Sequence, residues 1–456
     1  MAGWIAKTTA GRIALVAVAA VALAGGGLVA WRRLRTDPAL EMIAKRLPAW
    51  QAARAHAETA GGEAARALQA SARRWPDVAA GFEAMDRAWP QMEAARAAGK
   101  SVNRALAAAR LPYFVDVQRV NGQPIALSYE LVARVPWRIG ARTVDVLRLR
   151  RLDTLNIELG IYGATDEGLP VVLLDRIEAS LAEMLPAMYG KEGEMRRHLN
   201  DFDRAAMARE RRLLEARLGP GLATAAGELA ERDRLLEVMR TRLHGGELRF
   251  HPPDGFVLGD RWLSTMKQYT TFDRPGGPLL FDTDLREVAR ADEKLRAGPT
   301  AQLLAAAVDV MAAATEAHEA RHALDEVDPN GPPPPTPLFE VMERSTTQFI
   351  GLADAELRAY LGELHDTGST ACWVLAKTMR GVYGRGASRT PHFYATFTIL
   401  RQLDPEPDRA PAARLAMLCD LPDAELRRRV AAAWQKLYGT ALLPGQRAAT
   451  NPDPAP

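Results

Sequence analysis

The chain has 456 residues, 48% of them hydrophobic and 25% charged, with a formal net charge of +3. That length allows two or three domains. The balance is that of a globular protein, which excludes global disorder, and a single long apolar run excludes a polytopic membrane protein. An excess of 59 basic over 56 acidic residues gives no argument for nucleic acid, and the abundance of Ala and Arg favours helix.

Residues Ile13 to Trp31 carry no charge, and these 19 positions are enough to span a bilayer core. Lys7 and Arg12 precede the run, Arg32, Arg33 and Arg35 follow it, and Trp31 stands where an interfacial aromatic belongs. Ala22-Leu23-Ala24 has the small-residue form of a signal-cleavage site. The apolar stretch continues beyond it to the basic cluster, so a retained single-pass anchor is the preferred expectation. The flanking charge counts point inward, whereas the run also reads as an export signal. The body is expected on the extracytoplasmic side.

Residues 36–110 are Ala-rich and predict helices broken near Gly61-Gly62, Trp75-Pro76 and Trp89-Pro90, forming a spacer or simply packing on the body. The character changes at Leu111. Tyr113 to Val117 partly alternates, Asn121-Gly122 marks a turn, and Ile125 to Val135 is apolar. Thr143 to Arg150 alternates in two phases, which a bulge near Val146-Leu147 would reconcile. Gly163 to Gly168 reads as a turn and Leu169 to Leu174 as a short strand. Together these give a small β-rich region over 111–180, expected as one antiparallel sheet. No Gly-rich phosphate loop follows any strand, so a nucleotide fold has no support. Asp175 to Leu243 returns to helix with a break at Gly219-Pro220-Gly221, and His244 to Pro278 is rich in loop residues.

Pro299 to His322 predicts a helix, with Leu303, Leu304, Val308 and Met311 at helical spacing. Its last turns read His318-Glu319-Ala320-Arg321-His322, and histidine is scarce, with eight in the chain. This is HExxH. Two imidazoles four residues apart share a helix face and can bind one zinc ion. Glu319, displaced from that face, can reach a water on the metal without being a ligand. The alternative is a charged, solvated helix end. A catalytic zinc usually has a third protein ligand. Glu326 lies about 12 Å along the axis from His318, too far to share an ion with it. The metzincin extension is absent, because Asp325 stands where its glycine would be.

The run Pro329 to Pro335 interrupts helix, and a new helical pattern includes Leu352-Ala353-Asp354-Ala355-Glu356-Leu357-Arg358-Ala359-Tyr360-Leu361. Glu356 lies 34 residues beyond His322, with a loop between that allows the two helices to pack side by side. Over about residues 318–364 the chain resembles the gluzincin metallopeptidases, which carry HExxH on one helix and a glutamate ligand on a later one. Tyr360 occupies the place where the thermolysin-type pattern has Asp. The resemblance implies zinc held by His318, His322 and Glu356, with Glu363, seven residues on, as the alternative third ligand. It also implies Glu319 as the catalytic base and a peptide or protein substrate. Asp325, three residues after His322, is a candidate to hold that imidazole's outer nitrogen. Tyr360, His365, Tyr383, His392 and Tyr394 are candidate donors to a developing oxyanion, and the sequence does not choose among them. No GxSxG supports serine chemistry.

Cys372 and Cys419, 47 positions apart, form no zinc framework. Two free buried thiols are expected, or one disulfide in an oxidising compartment. The expected fold is α+β and mainly helical, with an N-terminal transmembrane helix, a small antiparallel sheet and a C-terminal helical zincin-like domain. Its parts are an anchor (1–35), a helical spacer (36–110), the β-rich region (111–180), a helical hairpin (181–250), a zinc-hydrolase domain (251–446) and a disordered tail (447–456). The expected function is a membrane-anchored zinc hydrolase. The rival is a non-enzymatic helical scaffold with a structural metal or none.

Overall fold

The computed structural model describes residues 37–448, apart from 56–60, 121, 154–162, 167, 192–198, 245–251, 253–254, 271–279, 327–331, 343–344, 405 and 407. The anchor expected at residues 13–31 lies outside the described residues. Among those described, no single helix is long and apolar enough to cross a membrane. The structure is mainly helical, with a small curled mixed sheet, and it divides into two compact units within strand β2.

Among the described residues, the first unit holds those from Asp37 to Leu131 together with Arg151, Leu152 and Asp153. Its helices are α1 (Pro38–Glu41), α2 (Leu47–Ala55), α3 (Glu63–Ser71), α4 (Pro76–Ala88) and α5 (Met92–Ala108), with a π-helical turn between α1 and α2. The breaks fall at the Gly and Pro positions that predicted them. Val78, Phe82 and Met85 recur at helical spacing and are buried with Trp50, Val102 and Leu106. Trp50 Nε1 donates to the buried Asp86 at 2.8 Å, which satisfies the one polar atom the indole brings inside. Strand β1 (Tyr113–Val120) buries Tyr113, Val115 and Val117 on alternate positions. A Cβ at Gly99 would stand 2.8 Å from Val117 Cγ2, so that glycine lets α5 lie against β1. β1 pairs antiparallel with β2 (Gln123–Ile139), in register from Tyr113↔Glu130 to Val120↔Gln123.

The second unit holds the rest of β2, then β3 (Arg142–Arg151, all but its last residue), β4 (Gly163–Asp166) and β5 (Leu169–Leu173), and most of the helices. The sheet is mixed rather than antiparallel. β5 pairs parallel with β3 (Leu147↔Val171, Leu149↔Leu173) and antiparallel with β4. β5 carries Val172 and Leu173, both buried, and takes the inner place. β4, Gly-Ala-Thr-Asp, takes the edge. β4 thus lies outside β5 although it precedes β5 in sequence, and residue alternation does not report that order. Gly163–Asp166, expected as a turn, is accordingly strand. Val146 and Leu147 are buried on consecutive positions, so both faces of β3 are covered.

The helices of this unit are α6 (Leu174–Met188), α7 (Asp201–Leu218), α8 (Leu222–His244), α9 (Asp260–Met266), α10 (Asp282–Arg296), α11 (Gly298–Glu326), α12 (Thr336–Val341), α13 (Thr347–Asp366), α14 (Ala371–Tyr383), α15 (Pro391–Leu403), α16 (Pro411–Cys419) and α17 (Asp423–Tyr438). α11 joins two cores. Leu304, Ala307 and Met311 pack with Trp137, Val146, Val172 and α6, while Ala314 belongs to the core built from α13 to α17. Every residue from Ala314 to Arg321 is buried. A strand β6 (Gly445–Arg447) closes the unit by pairing with β2, Trp137 opposite Arg447. Arg447, expected in a disordered tail, is thus part of the sheet. Cys372 and Cys419 form a disulfide, with their Cα atoms 4.9 Å apart, rather than two free thiols. Packing of α14 and α16 in one core brings them together, a proximity that a spacing of 47 does not disclose.

Candidate metal centre

A helix buried around its whole circumference must satisfy each polar side chain it carries, because an unpaired polar group inside loses its water without compensation. α11 meets this demand with partners from several elements. Glu316 accepts from Trp137 Nε1 at 3.2 Å and also pairs with Arg148 and Arg447. Arg321 donates from Nε to Asp366 at 3.1 Å and from Nη2 to the Leu443 carbonyl at 2.6 Å. His318 and Glu319 turn to α13 and β4. The motif is therefore an interior structure and not the solvated helix end of the alternative expectation.

His318 and His322 stand one turn apart, with ring centroids at 4.7 Å and Nε2 atoms at 3.1 Å. α13, held in the core by Ala353, Leu357, Leu361 and Leu364, brings Glu356 against them. Glu356 Oε2 lies 3.2 Å from His318 Nε2, and Oε1 lies 3.6 Å from His322 Nε2. One ligand atom from each of the three residues falls within 4.8 Å of the others, so this group could hold a metal ion. Two observations fit a cation here. The donor set of two imidazoles and a carboxylate is that of first-row metal sites. Glu356 Oε2 is also buried without a hydrogen bond of good geometry, although imidazole nitrogens crowd it. Burial opposes ionisation of Glu356, but His318, His322 and His392 outweigh it and hold its carboxyl far below the usual range.

Glu363, the alternative ligand, sits behind His318 instead. Its Oε2 is 3.1 Å from His318 Nδ1, and its Oε1 accepts from Lys377 Nζ at 3.2 Å. A proton on Nδ1 directed at Glu363 leaves the Nε2 lone pair for a cation, the usual outer arrangement of a metal-binding histidine. Burial alone would raise the Glu363 carboxyl; Lys377 and His318 bring it below its ordinary value. Burial likewise works against charge on His318, yet Glu356 and Glu363 push its imidazole up to about 10. Asp325, the residue expected to orient His322, turns to Arg358 at 4.0 Å.

Of the five candidate donors, two reach the cluster. Tyr360 packs its ring 4.6 Å from that of His318, and its hydroxyl is 3.1 Å from His392 Nδ1. His392, at the start of α15 and exposed, lies 2.9 Å from Glu356 Oε2. Burial and the surrounding carboxylates keep the Tyr360 phenol well above its ordinary value. The others are engaged elsewhere: His365 with Asp366 at 2.8 Å, Tyr383 with Asp408 at 3.1 Å, and Tyr394 with the ring of Phe349.

Glu319 also meets the sheet edge at β4. Thr165 Oγ1 of β4 lies 3.0 Å from Glu319 Oε2 and 3.1 Å from its main-chain oxygen. Burial dominates its ionisation and leaves the carboxyl above its ordinary value, against the pull of His318, His322 and Thr165. Thr165, Lys377 and the outer role of Glu363 were not legible in the sequence. Each acts through an element remote from the motif, and only the strand pairing and helix packing reveal it. No family model matches the chain, and no curated protein or solved structure matches it.

Proposed function

We propose that the chain is a zinc-dependent hydrolase acting on peptide bonds, with His318, His322 and Glu356 as metal ligands and Glu319 as general base. The observation that carries this reading is the convergence of those three ligands from two helices, with a buried carboxylate next to the first of them in sequence. A zinc ion bound there would supply Lewis acidity, bringing the pKa of a water to about 7. Glu319 takes a proton from the attacking water and returns it to the departing amine nitrogen. Tyr360 and His392, on the Glu356 side, are placed to donate to the carbonyl oxygen as it gains charge. Glu363, backed by Lys377, fixes the tautomer and orientation of His318. Peptide as substrate rests on the likeness to gluzincins over residues 318–364. The uncharged run 13–31 supports attachment to a membrane, and the disulfide supports an oxidising, extracytoplasmic setting.

Metal analysis of the purified chain should find about one zinc per molecule, lost on combined His318→Ala and His322→Ala substitution. Glu319→Gln should keep the metal and lower cleavage of a mixed peptide library, read by mass spectrometry, by roughly 100-fold or more. A metal-free wild type, or undiminished cleavage by Glu319→Gln, would overturn the assignment. Two histidines and one carboxylate also suit ferrous iron, and iron in place of zinc would redirect the chemistry to oxidation.

A further inference from the structure

The edge strand β4 crosses α11 at Glu319, and the contact is too close to be incidental. A Cβ added to Gly163 would stand 2.7 Å from Glu319 Cγ, 2.7 Å from Glu319 Oε1 and 2.8 Å from the Val171 carbonyl oxygen. Gly163 is therefore the residue that lets the strand lie on the glutamate. Two positions along, with its side chain on the same face of the strand, Thr165 brings its hydroxyl to both Glu319 Oε2 and the Glu319 main-chain oxygen. One Glu319 oxygen thus meets bare backbone and the other meets a hydroxyl. The carboxylate is gripped from one side by a strand 154 residues away in sequence.

We infer that Thr165 is a positioning residue for Glu319, its hydroxyl fixing the carboxylate rotamer while Gly163 leaves room for it. The inference rests on the assignment of Glu319 as base. A base in this reaction must accept a proton and hand it on, so its partner must serve both forms. A threonine hydroxyl does. It donates to Oε2 while the carboxylate is ionised. Once Glu319 carries the proton, the hydroxyl accepts from it and redirects its own hydrogen to the main-chain oxygen 3.1 Å away. A lysine or arginine partner could only donate.

Thr165→Val removes the hydroxyl at nearly constant shape, and Thr165→Ser restores it. With a peptide that the wild type cleaves, Thr165→Val should lower kcat by roughly 10–100-fold with KM unchanged, the usual effect of losing one hydrogen bond to a charged group. Thr165→Ser should recover most of it. A second readout avoids turnover. In the cobalt(II)-substituted protein, Glu319→Gln should shift the visible absorption bands, because a base that takes a proton from a water on the ion would lie beside that water. Thr165→Val should shift them in the same sense at full metal content, and Thr165→Ser should match the wild type. If Glu319→Gln shifts the bands and abolishes cleavage while Thr165→Val behaves as wild type, the positioning role is wrong and the base assignment stands. If Glu319→Gln changes neither bands nor cleavage, the base assignment itself falls. Should Thr165→Val fold poorly, Thr165→Ala serves the same comparison, and failure of serine to rescue either variant overturns the inference.

Discussion

Asp325 carries a pH dependence that can be worked out from its surroundings. Burial raises its carboxyl from 3.8 to about 6, and Arg358 and His322 only partly offset this. Between those values the folded chain holds a proton that the unfolded chain has released. Folding stability contributed by this group is therefore full below about pH 4 and falls as pH rises toward 6. With allowance for partial screening by solvent, the loss amounts to about 2 kcal/mol. Asp325→Asn lacks the ionisation, so it should gain that much relative to wild type between pH 4 and pH 7 in denaturant titrations. A difference that does not change with pH would contradict the burial argument. At this scale the sequence revealed what one helix repeats: His318, Glu319 and His322 are legible because their spacing is their geometry. Glu356 required a likeness to known enzymes. Glu363 was visible as a candidate, but its role behind His318 depends on the rotation of α13 and on Lys377 from α14.

Element boundaries follow the punctuation in the chain. Gly61-Gly62, Trp75-Pro76 and Gly219-Pro220-Gly221 separate helices because Pro removes a donor and Gly weakens the helix. What the punctuation cannot show is which elements touch. α11 and α13 approach closely at Gly362, where a Cβ would stand 2.7 Å from Arg321 Cγ and Cδ. Arg321 cannot swing aside, since Asp366 and the Leu443 carbonyl hold its guanidinium. Gly362→Ala should therefore destabilise the protein by about 1–3 kcal/mol through overpacking, despite the better helix propensity of alanine. Thermal or urea unfolding would measure it, and a gain in stability would show that the two helices can part. The mixed sheet belongs here as well. Alternation in Thr143 to Arg150 and the short apolar run Leu169 to Leu174 identified strands, but the direction of β5 depends on a pairing with β4 that no local pattern encodes.

Across the whole molecule, the disulfide between Cys372 and Cys419 closes a long stretch that includes α14, α15 and α16. By the chain-entropy estimate, a loop of 47 residues is worth about 4 kcal/mol. Cys372→Ser should lower the denaturation midpoint accordingly, and reducing agent should do the same to wild type but not to the variant; equal response of both would mean the bond does not form. The last described strand has a bearing on timing. Arg321, the neighbour of His322, is tied to Leu443, and Asp366 at the end of α13 accepts from the Gly445 amide at 2.8 Å. The two helices that carry His318, His322 and Glu356 are thus fastened by residues synthesised well after all three. A nascent chain that has passed Glu356 but not yet reached residue 445 owns all three candidate ligands and lacks the clasp on their helices. If these residues hold a metal ion as proposed, the capture belongs to a late stage of biosynthesis, and a product truncated before the clasp would carry the complete motif without its fastening.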